Sequence, residues 1–496
     1  MRDRVALILC ALTAVVRLIF ANRYDVFRDE LYFIVCGRHP QFGYADQPPV
    51  IPLLNAATWG IAHQVWLLRL PGIVAAVALV WLVVRFTRLL GGGDGAAWMA
   101  GIVAACAPMF LGITATMNTT VFELLAWTFV AYALTRALLL DDRRILIWAG
   151  IVTGVEFEAK YAIPIWLIGF AVGLACTPER TLLRRRELWI GVALAVVIGA
   201  PSVIWQAANG MPFIGLLHAT GHKNAVTPPL AFALGQILAY GPLYAPIWIA
   251  GIVAPFVARS LRPMRFVAIA YVMCAVTIQA GHGKDYYLAP AVPTLVAIGA
   301  VALVRAVRNA YAQGAYVALA TVSTLLIAPI ALPVLPPAAI PGYAAALHIP
   351  IIKRERSEGG TALPQEFADQ LGWHDFVAQV TTAWNQIPPE RRAHTAIWVD
   401  NYGEAAALDV YGVGLPPAIS GHNQYGLWGL RGQTPTEILR VSYDMDGAPA
   451  HCVGARKLAT TFSPFAMSYE NGKVIFDCPQ VHPAMPELFP TEFHLD

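Results

Sequence analysis

Arg28-Asp29-Glu30-Leu31-Tyr32, followed by Gly43-Tyr44-Ala45-Asp46-Gln47-Pro48-Pro49, stands between an apolar segment that ends near Asn22 and another that begins after His63. Two adjacent carboxylates at the mouth of a hydrophobic bundle can take a proton from a substrate hydroxyl at a membrane surface. The stretch from Tyr24 to His63 is polar but aromatic, with Tyr32, Phe33, Phe42 and Tyr44 among Asp29, Glu30, Arg38, His39 and Asp46. Its composition predicts short helices lying on the surface. Pro48-Pro49 forces an extended turn before a helix resumes over Val50 to Ile61. A structural reading of the carboxylates stands beside the chemical one, because Asp and Glu favour the first turn of a helix.

The rest of the chain makes that bundle. Of 496 residues, 57% are hydrophobic and 13% charged, against roughly 25% charged in soluble proteins. A helix needs roughly 20 apolar residues to cross about 30 Å of hydrocarbon. Such segments centre near Ala11, Val77, Val103, Phe129, Val152, Ile168, Leu194, Ile249, Ala270, Ala297 and Thr324. A polytopic α-helical membrane protein of about eleven spans is expected. The net charge of +3 without a basic tract argues against nucleic acid as a partner.

Arginine falls mainly in alternate loops, at Arg85 and Arg88, at Arg136, Arg143 and Arg144, at Arg180 to Arg186, at Arg259 to Arg265, and at Arg305 and Arg308. Positive residues in short loops are retained in the cytoplasm. The loop over 22–63, those around Lys160, His222 and His282, and the C-terminal region are therefore expected outside. After Leu332-Pro333-Val334-Leu335-Pro336-Pro337 charged residues return. That shift divides a membrane domain, 1–345, from an extracytoplasmic α/β domain, 346–496. Asp369 to Trp384 has helical spacing, and Thr395 to Val399 reads as a strand followed by a helix from Glu404 to Tyr411. Five cysteines lie in or beside apolar segments as packing residues, while Cys452 and Cys478 share the polar region, where export would permit a disulfide. No small-residue cleavage site follows the first apolar segment, which reads as an uncleaved span.

The two quoted motifs resemble the signature of bacterial glycosyltransferase family 39 proteins, kin of the protein O-mannosyltransferases and the lipid A aminoarabinose transferases, with the GT-C fold. Further similar segments are Met117-Asn118 with Phe122-Glu123, Glu158-Ala159-Lys160-Tyr161, Gly283-Lys284-Asp285-Tyr286-Tyr287-Leu288-Ala289-Pro290, Asn401-Tyr402-Gly403-Glu404 and Ser420-Gly421-His422-Asn423. The resemblance implies transfer of a sugar from a polyprenyl-phosphate donor to an acceptor hydroxyl or amine on the outer face of a bacterial inner membrane, with inversion. The acceptor would be a glycolipid, wall polymer or protein. Asp29 matches the family's catalytic acidic position and would be the base, with Glu30 orienting the acceptor or sharing its proton. Lys160, Lys284, Tyr287, His222 and Lys223 would meet the charge of the lipid phosphate. Tyr32, Tyr44, Asp46, Gln47, Asn118, Glu123, His282 and Tyr286 would line the pocket. Gln47 stands where many relatives carry His or Lys, and Asn118 where some carry an acidic residue.

Each of these residues also has a plainer reading. Lys160 and Lys284 can snorkel from helix ends. Glu123 fits a structural ion pair as well as a cavity role, and Trp373, Trp384, Trp398 and Trp428 fit a domain core better than a sugar platform. His218, His222 and His282 lack a third ligand at metal spacing, so no cofactor is required, and a divalent cation has no support from ligand spacing. The run Gly91-Gly92-Gly93-Asp94-Gly95 follows no strand and reads as a connector, not a nucleotide loop. A lipid transporter or flippase, or an inactive lipid-binding scaffold, is the alternative; a transporter would need ionisable groups along a mid-membrane path.

Overall fold

The computed structural model describes residues 3–223, 227–349, 363–443 and 451–495. All eleven expected centres fall inside helices. By length and composition, however, five helices among the described residues suffice to cross a membrane: Val65–Leu89, Thr120–Leu140, Arg186–Ala208, Arg259–Ala280 and Asp285–Ala306. A sixth is reached if Pro229–Tyr240 and Pro242–Val257, bent by 96° at their junction, count as one span. Asp94–Cys106, Ile145–Phe157 and Ile163–Ala175 are apolar but shorter. The chain is a multi-pass membrane protein whose helices are cut by prolines and polar turns. The turn at Glu158-Ala159-Lys160, for example, separates Ile145–Phe157 from Ile163–Ala175.

Two compact units form. One comprises Met1–Arg23, Trp66–Ile204 and Val226–Val334; the other comprises Tyr24–Val65, Trp205–Ala225 and Leu335–Asp496. The division differs from the one composition suggests at residue 345, because the first polar loop folds with the C-terminal region and not with the spans that flank it.

In the first unit the helices meet through small residues. Gly150 and Gly154 are spaced one turn apart on Ile145–Phe157, and a Cβ at Gly150 would lie 2.0 Å from the Gly191 carbonyl of Arg186–Ala208. Only glycine permits that approach, and in lipid, where apolar surface drives no association, close van der Waals packing is what holds helices together. Tyr240, Phe266, Leu295 and Ile298 lie in the same continuous buried core.

In the second unit the helices expected between Tyr24 and His63 are Arg28–Arg38 and Val50–Ile61. The C-terminal part carries a four-stranded mixed sheet in the order Thr395–Trp398, Glu437–Ser442, Val474–Cys478, Arg456–Thr460. The first pair is parallel and the others antiparallel. The expected helices are Trp373–Trp384 and Tyr402–Tyr411, and Cys452 and Cys478 form a disulfide. Trp373, Trp384 and Trp398 are buried, as core residues should be.

Candidate active site

The candidate residues fall into a cluster in each unit. In the second unit, Phe27 precedes the helix Arg28–Arg38, and the Glu30 carboxylate caps it: the Phe27 N–H donates to Glu30 Oε2 at 2.8 Å. Glu30 is fully buried. The capping reading therefore applies to Glu30, whereas Asp29 points elsewhere and keeps about a third of its side chain exposed. The Tyr402 hydroxyl donates to Asp29 Oδ1 at 2.8 Å, and Arg28 Nε lies 3.6 Å from the same oxygen. Among the described residues Oδ2 has no protein partner, which leaves it able to accept a proton from an incoming hydroxyl.

Tyr402 opens the helix Tyr402–Tyr411. Asn401 accepts from the Glu404 N–H at 3.0 Å, and Glu404 Oε2 accepts from the Asn401 N–H at 3.3 Å, a reciprocal cap that fixes the start of the helix. Its ring packs 4.6 Å from Tyr32 and 4.8 Å from His422, with the Arg28 guanidinium 5.3 Å above it. Arg28 is shared with Tyr469, which donates in turn to Asp369, and with Asp369 itself at 3.7 Å. At Gly403 a Cβ would lie 2.6 Å from Arg28 Cγ. Burial pushes the Tyr402 phenol well above its usual range, Arg28 opposes this, and the negative Asp29 adds to it. The hydroxyl stays protonated and therefore donates.

Beyond Tyr402 lies Asp46. Its Oδ1 accepts from Tyr32 at 2.9 Å, and Oδ2 from Asn423 Nδ2 at 3.4 Å. Tyr32 accepts in turn from the Gln424 N–H, and the Gln424 side chain accepts from Ala45 N–H at 2.8 Å. Tyr44 is fully buried with its hydroxyl donated to the Cys36 carbonyl, so it closes the loop on itself. Gln47 is also buried, and its carbonyl accepts from Tyr44 N–H at 2.9 Å.

Burial raises the Asp46 carboxyl to about 7, with the hydrogen bonds from Tyr32 and Asn423 pulling down and the charge of Asp29 pushing up. A carboxyl whose folded value lies above its ordinary 3.8 favours the folded state most below that value, and the advantage is lost as pH rises through 7. Melting temperature should therefore fall between pH 4 and 7 more steeply in the wild type than in Asp46→Asn. Parallel melting curves for the two would show that Asp46 titrates normally.

In the first unit Lys160 donates to Glu123 Oε2 at 2.6 Å and to Thr120 Oγ1 at 2.9 Å, and its ammonium lies 5.3 Å from the Tyr287 ring centre. Glu123 is thus an ion-pair partner, as a carboxylate within a span requires. Tyr286 and Tyr287 stack edge to face at 4.8 Å, and Lys284 precedes the short helix Asp285–Ala291. His282 is exposed in a left-handed turn. Asn118 spends its amide on the backbone, donating to Ile113 O at 2.7 Å and accepting from Thr120 N–H at 2.9 Å at the head of Thr120–Leu140. The side chains of His222 and Lys223 lie outside the described residues. Among the described residues no three His, Cys, Asp or Glu side chains gather as a metal site would need.

The sequence pointed to Asp29 but assigned no role to Arg28, Asp369, Tyr402 or Tyr469. The two C-terminal motifs were visible as segments, yet nothing in their local spacing could tie Tyr402 to a residue 373 positions earlier.

Comparison with known proteins bears on the fold. Residues 46–205 match the family model for dolichyl-phosphate-mannose-protein mannosyltransferase. No curated protein sequence gives a significant match. Among solved structures, ArnT from Cupriavidus metallidurans bound to undecaprenyl phosphate is similar over 95% of this chain and 97% of that one, with 14% identity and a TM-score of 0.66. Its apo form gives 13% identity and a TM-score of 0.64 over the same shares. At such identity the likeness is one of fold. Over residues 46–205 the chain is thus similar to the protein mannosyltransferases, and over nearly its whole length it shares the GT-C fold of ArnT.

Proposed function

We propose that the protein transfers a sugar from a polyprenyl-phosphate donor to an acceptor hydroxyl on the outer face of a bacterial inner membrane, with Asp29 as general base. The observation that carries this reading is the Asp29 carboxylate, with Oδ1 held by Tyr402 and Oδ2 without a partner among the described residues. In the reaction the acceptor O–H gives its proton to Asp29 while its oxygen attacks the anomeric carbon. The bond from that carbon to the phosphate oxygen breaks, and polyprenyl phosphate leaves. Configuration at the anomeric carbon inverts.

The charge that develops on the leaving phosphate is assigned to Lys160 and Lys284. Because Lys160 is already fixed by Glu123, Thr120 and the Tyr287 ring, it would bind phosphate with little further ordering cost. A lipid-linked donor also fits an apolar cavity of about 550 Å³ among four helices of the membrane unit, lined by Leu134, Phe157, Phe170, Trp189 and Val196 among others. ArnT, whose fold this chain shares, was solved with undecaprenyl phosphate.

The test uses the purified chain in proteoliposomes with a panel of radiolabelled polyprenyl-phosphate monosaccharides. An enzyme releases polyprenyl phosphate in step with transfer to added glycolipid, wall polymer or protein acceptors. Movement of intact donor between leaflets would indicate a flippase, and binding without release a scaffold; either overturns the proposal.

A further inference from the structure

Asp29 lies in the first turn of the helix Arg28–Arg38, yet its carboxylate is held by a residue from the far end of the chain. We propose that Tyr402 is a positioning residue for Asp29, turning Oδ2 toward the acceptor by holding Oδ1. This rests on the reading of Asp29 as the base and extends it to the C-terminal region, which then forms part of the reaction centre.

A carboxylate on a helix's first turn has free rotation about its side-chain bonds, and a base must be held within hydrogen-bond reach of the proton it takes. Tyr402 restricts that rotation with a 2.8 Å bond to one oxygen. The tyrosine cannot itself swing away. Tyr32 and His422 pack its ring, the Asn401–Glu404 cap fixes its backbone, and Arg28 covers the ring while lying 3.6 Å from the same Asp29 oxygen. The absence of a side chain at Gly403 is what admits Arg28 to this position. A residue 373 positions away and the neighbouring Arg28 thus meet on one carboxylate oxygen, while the other has no partner among the described residues.

A purely structural Tyr402 would instead matter to stability and be indifferent to whether Asp29 carries a charge. Tyr402→Phe keeps the ring and deletes only the donor. Turnover, measured as polyprenyl phosphate released from the radiolabelled donor that the wild type uses, should fall roughly 10- to 100-fold, the range for losing a group that orients a reacting residue. The donor KM and the melting temperature should stay near wild type. In an Asp29→Asn background the same substitution should cost less than about twofold more, because there is no base left to orient. Multiplicative losses in the double variant, or unchanged turnover in Tyr402→Phe while Asp29→Asn is impaired, would overturn the positioning role and leave the base intact. Near-normal turnover in Asp29→Asn would remove the base, and the positioning role with it.

Discussion

Asp29→Asn is expected to lower turnover by roughly two to four orders of magnitude, the usual contribution of a general base, with the fold unchanged. The amide keeps the shape of the carboxylate and can still accept from Tyr402 through its carbonyl, so the substitution deletes proton acceptance and little else. Glu30→Gln should behave differently. Glu30 is fully buried and caps its own helix, so its loss should appear in stability more than in the chemical step. A greater loss of turnover in Glu30→Gln than in Asp29→Asn, at equal melting temperature, would exchange the two roles.

Lys473→Ala should be the most damaging single change to the fold of the second unit. Lys473 is 2% exposed and its ammonium is bonded to Glu404, with Glu470 and Asp400 each 3.6 Å away. Burial alone would lower its pKa, but the three carboxylates raise it, so the lysine is charged. Removing it leaves the buried Glu404 without its cation, at a cost of about 3–5 kcal/mol, while Asp400 keeps its pair with Arg440. The same network ends at Asn401 and Glu404, which fix Tyr402, so weakened folding should be accompanied by reduced turnover. Thermal melting and limited proteolysis of the C-terminal region provide the check. A melting temperature within a degree or two of wild type would show that the cluster relaxes around the missing lysine.

The membrane part of the fold was legible because hydrophobic length is a one-dimensional signal. Every expected helix centre lies in a helix, from Ala11 to Thr324. The number of full spans was less legible. Helices such as Ile145–Phe157 and Ile163–Ala175 are separated by a short polar turn that a hydropathy profile averages over. The helices around Pro48-Pro49 and the strand at Thr395 were readable from proline chemistry and β-branched alternation.

The candidate site was half legible. An acidic pair at a bundle's mouth drew attention to Asp29, but only coordinates separate it from Glu30, because the capping bond that occupies Glu30 depends on the backbone of Phe27. Asn118 and Tyr44 look like pocket residues by type and are consumed by local turns. Asp29 is met by Tyr402 and Asp46 by Asn423, and pairings across several hundred residues leave no periodicity to read.

The proposed reaction is a direct displacement in which Asp29 takes a proton and forms no bond to the sugar. The most direct measurement is the anomeric configuration of the product, read by NMR from transfer with a donor of known configuration. Inversion is the predicted result. Retention would mean two successive displacements through a glycosyl-enzyme, with a carboxylate such as Asp29 as nucleophile, and would contradict the account.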